Sequence, residues 1–126
     1  MIAMLGKTWG PLNDGMTAWY EAKMFIEHAS AVSSDALHVL VGVSVWVVAA
    51  LVLRRSLSAS APWMILFALT LFNEGVDFWV ERWPILSMQL GESAKDVMLT
   101  MALPTVLAFA IRVQPTLFRV SSGRRR

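Results

Sequence analysis

The stretch PWMILFALTLFNEGVDFWVERW, residues 62–83, decides how the rest of the chain is interpreted. Its first half is apolar from Trp63 to Phe72, and only Thr70 interrupts the run. Its second half adds polar side chains that, at about 100° per residue, share an arc of about 100° with Thr70. These side chains are Asn73, Glu74, Asp77 and Glu81. The stretch therefore predicts an apolar helix with one polar stripe near its carboxyl end.

The composition favours a lipid environment for this helix. Hydrophobic residues make up 56% of the 126 residues, the mean hydropathy is +0.56, and charged residues make up 16%, against about 25% in soluble domains. An ionisable side chain near the centre of a bilayer costs at least about 2.5–3.5 kcal/mol. The polar stripe must therefore face protein, a water-filled cavity or the headgroup layer. The chain has no cysteine, which excludes disulfides and thiolate sites.

Helix signals along the chain predict an all-α fold, a three-span transmembrane helical bundle that forms one membrane domain. We expect residues 1–15 to form a loop in which Asp14 is an N-cap, and Ser33 to Asp35 to cap the next helix. Gly91 is expected to interrupt the chain before the last helix. The predicted segments of the domain at 1–126 are an interfacial helix at 16–30, transmembrane helices at 36–53, 62–81 and 93–113, and a basic tail at 114–126.

The first predicted helix is amphipathic and carries an aromatic anchor. This pattern is typical of a helix that lies on the membrane surface. Packing of the same helix against the chain's own bundle is an equally open alternative. The apolar face consists of Ala18, Trp19, Ala22, Phe25, Ile26 and Ala29.

Charge asymmetry predicts the orientation of the bundle. Seven of the eleven basic residues would share one side of the membrane, and the positive-inside rule places that side in the cytoplasm. We therefore predict a multi-pass protein of the bacterial inner membrane, with a non-cytoplasmic amino terminus and a cytoplasmic carboxyl terminus. The arginines beside the membrane are interpreted as anchors for anionic lipid rather than as nucleic-acid contacts. They are Arg54, Arg55, Arg124, Arg125 and Arg126.

The three spanning helices bring polar side chains to one membrane level near the non-cytoplasmic side. Ionisable groups inside a membrane indicate a functional site. His38 is interpreted either as a metal ligand or proton relay, or, as we favour, as a hydrogen-bonded structural residue. Glu74 and Asp77 form either an acid/base pair or salt bridges to Lys95 or Arg82. The predicted cluster consists of His38, Asn73, Glu74, Asp77, Lys95 and Asp96.

Part of this pattern resembles the VanZ-like membrane family. The matching residues are the Asp35-Ala-Leu-His38 helix start, the Asn73-Glu74 pair late in the next helix, and the Ser93-Ala-Lys-Asp96 start of the helix after. The resemblance covers about residues 35–110. It implies a role in the cell envelope, in a family associated with glycopeptide tolerance.

A second resemblance is to bacterial diacylglycerol kinases, which have a surface helix and three spans. Asn73, Asp77, Glu81-Arg82 and Ala94-Lys95-Asp96 match the spacing of that family's polar residues. Thr70, however, stands where that family has its catalytic glutamate. The charge asymmetry also points this end of the bundle away from cytoplasmic ATP, so we rank lipid kinase activity lower.

The sequence therefore predicts binding rather than chemistry. The expected role is recognition of a lipid headgroup or of a partner membrane protein through the non-cytoplasmic polar cluster. An accessory subunit of a larger membrane complex is the alternative, because other membrane subunits would pack on the apolar faces as readily as lipid. We name no catalytic residue, and we expect no metal, no cofactor and no nucleic acid.

The predicted orientation is tested by reporter fusions. A reporter that is active only in the cytoplasm should be active when it is fused after Arg126 or after Arg55, and inactive when it is fused after Trp83. These three fusions control for one another, because the bundle places the first two on one side and the third on the other. The reverse pattern would contradict the orientation and would put Asp77 on the side where ATP is available.

Overall fold

A computed structural model of the protein describes residues 10–118, and every regular element in that range is helical. The elements are α1 Gly10–Ser30, α2 Ser34–Leu53, α3 Ser60–Glu81 and α4 Leu86–Val113, followed by a 3₁₀ turn at Pro115–Phe118. Helices α2, α3 and α4 are long and apolar enough to cross a membrane. The prediction of an all-α, three-span membrane protein is therefore confirmed.

Two predicted helix starts are wrong. Helix α1 begins at Gly10 rather than at residue 16, so Asp14 lies inside the helix and is not its N-cap. Pro11 is compatible with this start, because the first turn of a helix does not use its N–H groups. Helix α4 begins at Leu86 rather than at residue 93 and continues through Gly91. An internal glycine costs a helix only about 1 kcal/mol, which the good helix formers around it offset.

The other two helix starts follow the sequence signals closely. Helix α2 is capped by Ser33, whose hydroxyl accepts a hydrogen bond from the Ala36 backbone N–H at 3.3 Å. Asp35 lies in the first turn of α2, where a negative charge complements the helix dipole. In α3, Pro62 lies in the first turn, two residues after the helix begins. The predicted starts at 36 and 62 are each two residues late.

The bundle core is small and lies between the three spanning helices. Trp46 of α2, Leu66 of α3 and Met101 of α4 meet there, and Trp46 and Leu66 are each 1% exposed. Many large apolar residues face outwards, and Val52 of α2 and Phe72 of α3 are two of them. An apolar patch of this extent on a bundle surface indicates contact with lipid.

Helix α1 packs on α3 mainly through polar atoms, including the indole N–H of Trp19, which donates to Asn73 Oδ1 at 3.2 Å. Lys23 donates to Asp77, and Tyr20 donates to Glu81 at 3.0 Å. All six residues of the predicted apolar face are exposed, and Phe25 is the most exposed of its large side chains at 73%. Both interpretations of α1 therefore hold in part, because the helix contacts the bundle while its apolar face is free to enter a membrane surface.

Gly42 permits the closest approach in the bundle. It lies in α2 against the backbone of Thr100 in α4, and a Cβ atom there would be 2.2 Å from the Thr100 carbonyl oxygen. This contact is backbone, so no side-chain rotation relieves it. The helix axes of α2 and α4 must therefore separate if residue 42 acquires a side chain.

The matched test compares two glycines inside helices. Gly42→Ala should lower the free energy of unfolding in detergent by about 1–3 kcal/mol, because it overpacks a backbone contact. Gly75→Ala should leave it unchanged or raise it by up to about 1 kcal/mol, because alanine favours helix and nothing lies within 4 Å of that position. Equal stability of the two variants would contradict the close α2–α4 approach.

Candidate functional site

His38 and Asp96 join α2 to α4 one turn above the Gly42 contact. His38 Nε2 lies 3.4 Å from Asp96 Oδ2, and His38 Nδ1 lies 3.1 Å from Thr100 Oγ1. The Thr100 hydroxyl itself donates to the Asp96 backbone carbonyl at 2.8 Å. Both side chains of the His38–Asp96 pair are more than four-fifths buried. The sequence pattern predicts both residues in one cluster but not the hydrogen bond between His38 and Thr100.

Glu74 of α3 completes this group from the third helix. It is 6% exposed, and its Oε1 accepts a hydrogen bond from Asn73 Nδ2 at 3.2 Å. One ligand atom from each of His38, Glu74 and Asp96 can be chosen so that all three lie within 4.8 Å of one another. Each spanning helix therefore contributes one ionisable side chain to a single buried group.

Asp77 and Asn73 form a second group, which faces α1. Lys23 Nζ donates to both carboxylate oxygens of Asp77 and to Asn73 Oδ1, the latter at 3.1 Å. The side chains of Lys23 and Asp77 are 27% and 17% exposed. The sequence interpretation paired Asp77 with Lys95 or Arg82 and missed Lys23. The sequence carries one sign of this pairing. Tyr20 and Lys23 lie about one turn apart on α1, and their partners Glu81 and Asp77 lie about one turn apart on α3.

Lys95 and Arg82 lie outside both groups. Lys95 forms exposed ion pairs with Asp35, at 3.1 Å, and with Glu92. Arg82 donates to the Trp79 carbonyl at 3.2 Å and lies over the Trp79 ring. The structure therefore does not bring Lys95 to the predicted cluster, because its side chain is held by Asp35 and Glu92 at the exposed surface.

A cavity of about 140 Å³ opens beside these groups, between the ends of α3 and α4 and the start of α2. Its wall includes the aromatic rings of Phe78 and Trp83. Five carboxylates line it, whereas none of its lining residues is a lysine or arginine. The carboxylates are Glu74, Asp77, Glu81, Glu92 and Asp96.

The carboxylates of the cavity outnumber the lysine and arginine side chains that pair with them. Lys23 offsets Asp77, and Lys95 is shared between Glu92 and Asp35. Within residues 10–118, neither Glu74 nor Glu81 forms an ion pair with a lysine or arginine. The cavity is therefore suited to a cation rather than to an anion.

Tyr20 and Trp83 both donate hydrogen bonds to Glu81, which lines the cavity. Tyr20 donates to Glu81 Oε1 at 3.0 Å, and the Trp83 indole N–H donates to Glu81 Oε2 at 2.6 Å. Burial, assisted by the hydrogen bond to Glu81, raises the pKa of Tyr20 to about 12. The Tyr20 hydroxyl is therefore a neutral donor at physiological pH, and it orients the Glu81 carboxylate.

The arginines interpreted as lipid anchors lie far from the cavity or outside the described residues. Arg54 and Arg55 are exposed and follow the carboxyl end of α2, opposite the cavity. Arg112, near the end of α4, donates to the Ser58 carbonyl at 2.9 Å and so links α4 to the loop between α2 and α3 on that side. Arg124, Arg125 and Arg126 are outside residues 10–118.

Thr70 lies deeper in the bundle than the acidic cavity. Its hydroxyl donates to the Leu66 carbonyl at 2.8 Å, and the residue is 6% exposed. It does not line the cavity. A substrate in the cavity would therefore not reach this side chain.

No family model matches the chain, and no curated protein or solved structure matches it either.

The Lys23–Asp77 pair gives a stability prediction. Lys23→Ala and Asp77→Ala should each lower the free energy of unfolding by about 1–3 kcal/mol, because each leaves a largely buried charge without its partner. In the double variant the losses should be less than additive. Lys95→Ala, in an exposed ion pair, is the control and should cause little or no loss. If Asp77→Ala and Glu74→Ala both unfold with the same free energy as the unchanged protein, the polar stripe of α3 is not buried.

Proposed function

We propose that this protein binds the ammonium group of a membrane lipid headgroup in the acidic cavity. The observation that carries the proposal is the set of five carboxylates around a cavity at one end of a spanning bundle. An ammonium group offers several N–H donors and a full positive charge, which is what this wall lacks. Charge-assisted hydrogen bonds of this kind are the strong ones in proteins.

The aromatic wall supports a cationic ligand. Trp83 and Phe78 line the cavity beside the carboxylates. The faces of such rings attract ammonium and quaternary ammonium groups, by about 0.5–2 kcal/mol according to how far the cation is desolvated. An acidic wall alone would accept any cation, whereas the rings favour an organic one.

The depth of the cavity supports a headgroup as the ligand. Helix α4 has 28 residues, or about 42 Å at 1.5 Å per residue, whereas a hydrocarbon core is about 30 Å thick. Helix α4 therefore extends beyond the hydrocarbon core, and we place its first turns, which contain Gln89 and Glu92 and follow Trp83, in the headgroup layer. The exposed apolar face of α1, including Phe25, lies near the same end and is suited to the membrane surface.

The proposed side of the membrane is non-cytoplasmic. The two arginines after α2 lie at the opposite end of the bundle from the cavity, and the positive-inside rule assigns that end to the cytoplasm. An inner-membrane location with the cavity on the outer side is therefore part of the proposal. This places headgroup binding in the cell envelope.

Of the two family resemblances, the arrangement of residues favours the VanZ-like one. His38, Glu74 and Asp96, which belong to the motifs of that resemblance, come together in space. Of the residues that match a lipid kinase, Asp77, Glu81 and Asp96 line the cavity. Lys95, however, is exposed in ion pairs outside it, and Thr70, which stands in place of the catalytic glutamate, is buried away from it. We accordingly propose a VanZ-like role and no phosphorylation of diacylglycerol or undecaprenol by the purified protein.

Lipid competition tests the headgroup proposal. In nanodiscs that contain equal amounts of phosphatidylethanolamine and phosphatidylglycerol, native mass spectrometry should show that the protein retains the ethanolamine lipid preferentially. Glu81→Gln should weaken this preference about tenfold, which corresponds to the loss of one charge-assisted contact. Glu21→Gln, the same change at an exposed position of α1 outside the cavity, is the control and should leave the preference intact.

Two results would contradict the proposal. One is equal retention of both lipids by the unchanged protein. The other is purification from native membranes, without crosslinker, as a stoichiometric complex with another protein and no retained lipid. The second result would favour an accessory subunit instead.

A further inference from the structure

We infer that His38, Glu74 and Asp96 bind one first-row divalent metal ion, of the Zn²⁺ class, at the inner end of the acidic cavity. This inference shares Glu74 and Asp96 with the cavity proposed for the headgroup, but it can hold without headgroup binding because it needs only the three inner side chains. It replaces the structural role that the sequence favoured for His38. Three features of the site support it: the spacing of the ligand atoms, the tautomer of His38 and the environment of Glu74.

One pair of ligand atoms has the spacing of a metal site, and the third ligand lies close enough to complete it after a small side-chain movement. Two bonds of about 2.1 Å at a tetrahedral angle separate their ligand atoms by about 3.4 Å. His38 Nε2 and Asp96 Oδ2 are 3.4 Å apart, and a Glu74 carboxylate oxygen falls within 4.8 Å of the ligand atoms of both residues. One imidazole nitrogen with two carboxylate oxygens is a set that first-row divalent ions accept.

The hydrogen bonds of Thr100 determine which nitrogen of His38 carries a proton. The Thr100 hydroxyl has one proton, which it donates to the Asp96 carbonyl at 2.8 Å. Its oxygen must therefore accept from His38 Nδ1–H at 3.1 Å. In the neutral imidazole, Nε2 is then an unprotonated acceptor facing the Asp96 carboxylate, and two acceptors face each other without a donor. Either a proton shared by this pair, which would make it an ion pair, or a metal cation between the two atoms removes this conflict.

The same hydrogen bond is the support that metal-binding histidines usually have. Such residues donate their second ring N–H to a neighbouring oxygen, which fixes the ring orientation and the tautomer. Thr100 provides that acceptor, and Gly42 keeps α2 close enough to α4 for His38 to reach it. Asn73 supports Glu74 in the same way, through its hydrogen bond to Oε1.

Glu74 provides an independent observation. It is more than nine-tenths buried and lines the cavity. Its Oε1 accepts from Asn73, whereas its Oε2 accepts no hydrogen bond from any residue in the range 10–118. The free oxygen lies near the Asp96 carboxylate, beside the cavity, and a carboxylate in such a place binds either a proton or a cation. Three protein ligands with the fourth position open to a cavity are also the usual arrangement of accessible zinc sites.

Metal titration of detergent-purified protein tests the inference without lipid or activity. After treatment with a chelator, the protein should bind one Zn²⁺ per chain. His38→Ala, Glu74→Gln and Asp96→Asn should each weaken binding at least about 100-fold, since even the loss of a supporting partner typically costs about 10–100-fold. His28→Ala, the other histidine, and Glu81→Gln, a cavity carboxylate outside the triad, should bind like the unchanged protein.

Cobalt gives a second readout that a folding defect does not imitate. Co²⁺ bound by the unchanged protein should show the visible absorption of a four-coordinate ion. His38→Cys should add a thiolate-to-cobalt charge-transfer band, which is unambiguous because the chain has no cysteine of its own. His28→Cys should not show this band.

Three results would overturn the inference. They are no stoichiometric binding of Zn²⁺, binding that Glu81→Gln weakens as much as Glu74→Gln does, and absence of the charge-transfer band in folded His38→Cys. The second of these would mean that the ion only screens the acidic cavity. Failure of the lipid competition with retained Zn²⁺ binding would affect the headgroup proposal alone.

Discussion

The close approach of α2 and α4 at Gly42 sets how the three spanning helices pack and where their polar side chains meet. Only a residue without a side chain lets the Thr100 backbone come this near. One turn away, that approach brings His38 within hydrogen-bond distance of the Thr100 hydroxyl and near the Asp96 carboxylate. Small residues at helix crossings are the usual means of packing in membranes, where lipid removes most of the hydrophobic drive for association. The backbone contact that holds the bundle together therefore also assembles its polar group.

Charge sets the second constraint, because a membrane does not tolerate unpaired ionised groups. The two groups of acids meet it differently. Asp77 faces α1 and has Lys23 as a local cation, so the amphipathic helix is held to the bundle by its polar residues. Glu74 and Asp96 have no lysine or arginine partner within residues 10–118. His38 lies beside Asp96, and a cation from outside the chain would neutralise the remaining charge, which is the common basis of the two proposals made for this end of the molecule.

The sequence was sufficient for the helices and for most of the site. The apolar runs predicted three spans, and helical periodicity placed His38, Glu74, Asp77 and Asp96 at one level, because one rise per residue applies to every helix. It was insufficient where the result depends on which way neighbouring helices face. Both Lys23 and Lys95 lie on helices that end near the same side of the membrane as Asp77. Only the packing of α1 on α3 determines that Lys23, and not Lys95, is the partner of Asp77. Helix starts at Gly10 and Leu86 were missed because the local breakers were weaker than the surrounding helix formers.

The contact between His38 and Thr100 tests this account most directly, since it requires the α2–α4 approach and positions the imidazole at once. The chain has two histidines, so the ring protons of His38 are readily assigned in NMR spectra by comparison with His28→Ala. With selectively labelled threonine methyl groups in detergent or nanodiscs, a nuclear Overhauser effect should connect the His38 ring protons to the Thr100 methyl group. It should disappear in Gly42→Ala and persist in Gly75→Ala. The account would be contradicted by an assigned His38 ring that shows no such effect in the unchanged protein, or that shows it equally in both alanine variants.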